Sequence, residues 1–118
     1  MSFDEKVREL VNSGIVKGVS LVDANGNVIW SYPQGWHPPV NELLKIWKSN
    51  EPGITIEGVR FSVLERYEDR LTMVNVGGQG GWVLLKSIAR HNQIVIIRIA
   101  EGVDLKDHWT DIARLAEL

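Results

Sequence analysis

A chain of 118 residues, 44% apolar and 24% charged, has the length of one domain and the makeup of a soluble globular protein that buries roughly two-thirds of its unfolded surface. Its apolar runs stop at about half a dozen residues, short of the ~20 that a membrane-spanning helix needs, and a formal net charge of −2 gives no general electrostatic case for nucleic acid. Absence of cysteine excludes disulfides, thiolate metal sites and cysteine nucleophiles, and with no leader-like opening the expectation is a cytoplasmic protein.

Ser2-Phe3-Asp4-Glu5 has capping-box spacing, which starts a helix. Phe3, Val7, Leu10 and Val11 then share one helical face, and Gly14 offers a left-handed stop after about three turns. Ile15 to Val22 and Val28 to Tyr32 are β-rich, and the Asn25-Gly26 pair between them supplies positive φ for a hairpin. Pro33, Gly35, Pro38 and Pro39 break the pattern, after which Val40, Leu43, Leu44 and Trp47 recur at helical spacing. Pro52-Gly53 leads into Ile54-Thr55-Ile56, which pairs with the next strand across a tight Glu57-Gly58 turn.

From Val59 onward four strand-like segments follow at the spacing of an antiparallel meander, with connections too short for parallel crossovers. In the first, Val59, Phe61 and Val63 fall on one side while Arg60, Ser62 and Leu64 fall on the other. Leu71 to Val76, Trp82 to Ile88 and Gln93 to Ile99 complete the set. Asp104 caps a last helix whose apolar face is Leu105, Trp109, Ile112, Ala113 and Ala116. The order is α-ββ-α-β(4–5)-α in a single domain, residues 1–118, an α+β fold with the sheet between helices.

Catalytic signals are missing: no nucleophile elbow, paired-carboxylate motif or nucleotide fingerprint occurs, so the chain reads as a non-enzyme without cofactor. Gly77-Gly78-Gln79-Gly80-Gly81 lies between strands, whereas a phosphate loop needs a strand-to-helix setting, so it reads as a mobile hairpin loop. His108 and Asp104 make at best half of a metal site. Trp30, Trp47 and Trp109 are read as core residues; Trp36 and Trp82 are the better candidates for exposure.

The joint order of these segments resembles the profilin family over nearly the whole length. The amphipathic first helix, the hairpin GVSLVDANGNVIW, Glu51-Pro52-Gly53, the G-x-[KR]-x-S-V strand from Gly58 to Val63, the Gly-Gly connection and Glu101-Gly102-Val103 all follow in register. The compact length is similar to that of archaeal members. This resemblance implies an antiparallel sheet with the N- and C-terminal helices on one face and the short helix on the other. It also implies a cytoskeletal protein that holds monomeric actin one to one, as a monomer itself. Carried over residue by residue, the actin-facing positions are Arg60, Ser62, Leu64, Gly102, Val103, Lys106 and Trp109. Glu65, Val76 and Gly78 stand where many members have basic residues.

For the family's polyproline site, Phe3 stands in place of a usual tryptophan, Trp30 matches the hairpin aromatic and Arg114 falls near an expected histidine. Lys6 replaces a tyrosine, and no terminal aromatic is present, which implies weak or absent binding to simple proline runs. Acidic phosphoinositides are a secondary partner implied by the family, through Arg60, Lys86, Arg90 or Arg98. A roadblock-type scaffold subunit that regulates a small GTPase shares the same order of elements and is the alternative; a small-ligand sensor is the third.

Overall fold

The Ser2 hydroxyl accepts from the Glu5 N–H at 3.1 Å while the Glu5 carboxylate accepts from the Ser2 N–H at 3.1 Å, so a capping box opens helix α1 (Phe3–Asn12). In this computed structural model, which describes residues 1–118, Gly14 follows at φ +75° and releases the chain into β1 (Val16–Val22) and β2 (Val28–Tyr32). Their turn is built by Asp23 as well as by Asn25-Gly26. The Asp23 Oδ1 accepts from the N–H groups of Asn27 (3.0 Å) and Asn25 (2.9 Å), which holds that carboxyl below its usual range.

Helix α2 (Val40–Lys48) begins after the two prolines. Its buried stripe is Val40, Leu43 and Ile46, rather than one running through Leu44 and Trp47, which are half-buried. Trp47 stays at the edge, where its indole N–H donates to the Tyr67 carbonyl at 2.7 Å. Strands β3 (Gly53–Ile56) and β4 (Val59–Arg66) meet across Glu57 and Gly58, at φ +51° and +81°, the left-handed pair that a two-residue hairpin turn requires. Strands β5 (Arg70–Val74), β6 (Gly81–Lys86) and β7 (Ile94–Ile99) complete the meander. β7 then pairs with β1, giving one antiparallel sheet ordered β2-β1-β7-β6-β5-β4-β3. Helix α3 (Leu105–Ala113) starts at Asp104, whose carboxylate accepts from the Lys106 N–H at 3.0 Å, and tightens into a 3₁₀ turn (Arg114–Ala116).

The sheet buries both faces. On one, α1 and α3 cover Val19, Leu21, Val83, Leu85, Val95 and Ile97; on the other, α2 covers Val22, Phe61, Leu71, Met73, Leu84 and Ile96. The terminal helices thus share a face and the short helix takes the opposite one, as the family resemblance implied. Leu115 is also buried, a position that a helical count from Asp104 misses because the backbone changes pitch at Arg114.

Trp82 departs from expectation, at only 4% exposed, while Trp30, Trp47 and Trp109 are half-buried and pack against the two cores. Trp82 enters β6 opposite Met73 and lies edge-on to Phe61, with ring centroids 6.4 Å apart. Trp36 covers it, stacked at 6.1 Å with 20° between the planes. Trp36 in turn rests on Gly18, where any Cβ would collide with its ring.

Candidate functional site

Helices α1 and α3 leave part of their own sheet face open. Across the register Ile99, Gly81, Val74, Ser62 and Gly53 are successive partners, and directly paired residues share a face. Ser62 therefore lies on the helix-covered side with Ile99, and Arg60, two residues earlier, lies there too. A bulge between Val63 and Glu65 ends the alternation, so Leu64 is the extra residue and Glu65 faces Thr72 on this same side. Simple alternation from Val59 placed Leu64 here but not Glu65.

A groove of about 810 Å³ runs between this open part of β4 and β5, the Asn75–Gly80 connection and the start of α3. Of the seven residues carried over, Leu64, Gly102, Val103, Lys106 and Trp109 line it together; Arg60 and Ser62 lie farther along β4 on the same face. Two aliphatic side chains stand accessible on its rim: Leu64 is 59% and Val76 93% exposed. Arg60 and Lys106 stand outside all eight ion pairs of the chain, so both charges are free for a partner.

Arg70 and Thr72, which were not singled out from the sequence, complete the groove. Arg70 meets Glu65, one of the positions where many family members are basic, with two hydrogen bonds of 3.3 Å, which raises the Arg70 pKa, and its guanidinium lies 5.9 Å from the Trp109 ring centre. Thr72 forms part of the lining, and its hydroxyl has no hydrogen-bond partner. Nothing in the sequence signalled Arg70 and Thr72, because they meet Glu65 only through the bulge and strand register.

The other carried-over residues are scattered. Phe3 and Trp30 meet edge to face at 5.2 Å, but Arg114 lines a separate groove of about 440 Å³ with Lys86, Ile88 and Trp109. The seam between α1 and α3 is closed by Lys6, 6% exposed, whose ammonium donates to Asp111 at 2.8 Å and Glu9 at 3.1 Å. The four cations named for acidic headgroups give no common seat. Arg98 is on the α2 side beneath Phe61 and Trp82, Arg90 stacks on Phe3, Lys86 pairs loosely with Glu68 at 3.7 Å, and Arg60 is on β4.

The Lys6 clamp makes a pH prediction. The Asp111 hydrogen bond raises the Lys6 pKa, and the same bond lowers that of Asp111. A depressed carboxyl stabilises above its unfolded value and loses that contribution as pH falls through the folded value; a raised ammonium does so below its unfolded value and loses it on the alkaline side. The clamp is therefore intact between about pH 4 and pH 10. Lys6→Ala should lower the melting temperature by about 3–6 °C at neutral pH, and thermal melts should show the difference from wild type shrinking below about pH 4.

No protein-family model matches the chain. Odin profilin of Odinarchaeota yellowstonii is 28% identical over 116 residues, 98% of this chain and 94% of that protein. Heimdall profilin of a Heimdallarchaeota archaeon is 33% identical over 81 residues, 68% of this chain and 67% of that protein. Among solved structures, LokiProfilin1 in its complex with rabbit actin superposes with a TM-score of 0.74 at 17% identity, covering 98% of this chain and 93% of that one. The roadblock/LC7 domain from Streptomyces avermitillis, at 13% identity and with 98% and 96% covered, reaches only 0.55, so the fold is nearer to the profilin arrangement.

Proposed function

The chain belongs to the profilin family, and from that premise we propose that it binds monomeric actin one to one through the groove face and thereby withholds the monomer from unassisted addition to filaments. The observation that carries this is the half-open sheet face, where two exposed aliphatic side chains (Leu64, Val76) and half-buried anchors (Val103, Trp109) sit beside two unpaired cations, Arg60 and Lys106. Apolar and aromatic anchors with charge at the margin are the anatomy of a protein interface. A standard contact of about 800 Å² per partner would occlude one surface of the actin monomer and leave the far side free. The action is binding rather than catalysis and calls for no cofactor; its setting is the cytoplasm.

Proline-rich ligands are expected to bind weakly or not at all, because Lys6 and Asp111 fill the seam between the terminal helices. The free 13.3 kDa chain should sediment as a monomer; a stable homodimer would favour the roadblock-type scaffold.

Titration of monomeric actin with the wild type and with Arg60→Glu plus Lys106→Glu tests the face. Reversing two free cations should weaken binding at least tenfold, with the loss diminished at high salt, while the melting temperature stays unchanged. Equal affinity of wild type and double variant would remove these cations from the interface.

A further inference from the structure

The connection from Asn75 to Gly80 walls one side of the groove, and the expected mobile loop is instead a braced one. The Asn75 Oδ1 accepts from the N–H groups of Gly77 (2.8 Å) and Gln79 (3.1 Å), and its Nδ2 donates to the Arg60 carbonyl at 2.8 Å. The Gly102 N–H, in the opposite wall, donates to the Gly78 carbonyl at 2.9 Å. The remaining fastening comes from behind. Arg98 lies on the α2 side of the sheet, 14% exposed, and its Nη1 donates to the carbonyls of Ile99 (2.7 Å) and Gly81 (3.1 Å) while Nη2 donates to that of Gln79 (3.1 Å).

Gly80 leaves the room this requires: a Cβ there would overlap the Ile99 carbonyl and come within 2.5 Å of the Arg98 Nη1. The second wall is held from the same region. Glu101, in the turn that enters α3, accepts from the Lys17 ammonium at 2.7 Å, with the Arg98 Nη2 4.0 Å away. One back-face arginine therefore stands between the fastenings of both walls. At the end of the braced wall is Val76, an almost fully exposed aliphatic side chain that no packing within the chain accounts for.

Resting on the actin reading of the groove, we infer that Arg98 is a positioning residue for the partner face: from the opposite side of the sheet it fixes the Asn75–Gly80 wall relative to the α3 turn, so that Val76 and Trp109 meet actin at a preset spacing. A wall ordered before contact spares the complex the entropy of ordering it on binding. Releasing it should cost about tenfold in affinity, within the range seen for residues that act through others without touching the ligand.

The test compares Arg98→Gln with Arg66→Gln. Arg66 likewise donates to two carbonyls, those of Glu51 (2.6 Å) and Ile46 (3.2 Å), at the end of α2. Three quantities are read: amide exchange over Gly77–Gly81 in the free chain, actin affinity, and the coupling of each variant to Val76→Ala. Arg98→Gln should accelerate that exchange, weaken actin binding about tenfold, and reduce the further loss caused by Val76→Ala; Arg66→Gln should leave affinity unchanged. If Arg98→Gln does not fold, Asn75→Ala, which releases the same wall from within, decides by the same three readings. Faster exchange with unaltered affinity, or fully additive effects with Val76→Ala, would overturn the inference while leaving the actin reading in place. Failure of the wild type to bind any actin would overturn both.

Discussion

Trp109→Ala is expected to weaken binding to monomeric actin by about 30- to 100-fold, the cost of truncating a central aromatic anchor. Trp109 lines both grooves, standing between the larger one and that of Arg114 and Lys86, with the Arg70 guanidinium beside its ring. The indole is half-buried against the core and presents its remaining surface to two concavities. The C-terminal segment does not depend on it, since Ile112 in the helix and Leu115 in the 3₁₀ turn after it supply the fully buried contacts. The variant should therefore separate binding from folding: the titration shifts while the melting temperature falls by only a few degrees. Affinity within twofold of wild type would take Trp109 out of the interface.

The largest loss of stability is expected at Trp82. Its ring is held between Phe61 and Trp36 with the Arg98 guanidinium 5.5 Å from its centre. Trp82→Ala would open a cavity under the α2 side and should cost about 3–5 kcal/mol, lowering the melting temperature by about 12–20 °C. Trp36→Ala should cost clearly less, because Trp36 is already half-exposed. Denaturant unfolding of the two variants checks the order, and a Trp36 variant less stable than the Trp82 variant would contradict the burial described.

The contrast between these two residues shows what was legible in the sequence. Local signals were accurate: the Ser2–Glu5 box, the Asn25-Gly26 and Glu57-Gly58 turns and the Asp104 cap each involve residues within a few positions, so spacing alone determines them. The helix order and the meander followed from periodicity. The glycines before Trp82 make it a candidate for exposure, but its burial depends on Trp36 lying over Gly18, an encounter between segments far apart in the chain. Lys6 and Asp111, 105 residues apart, were hidden for the same reason. The bulge at Leu64 brought Glu65 onto the open face, which strict alternation cannot foresee. The resemblance to a family supplied the outline of the groove, while the register between strands determined which side chains line it.

Amide exchange of the chain alone and with a saturating excess of monomeric actin tests the central claim most directly, since it reads binding and its location together. Slower exchange should be confined to β4, β5, the Asn75–Gly80 wall and Gly102–Trp109, with α1 and β2 unchanged. No complex at all, or protection centred on α1, β2 or α2, would contradict the assignment of this face to actin.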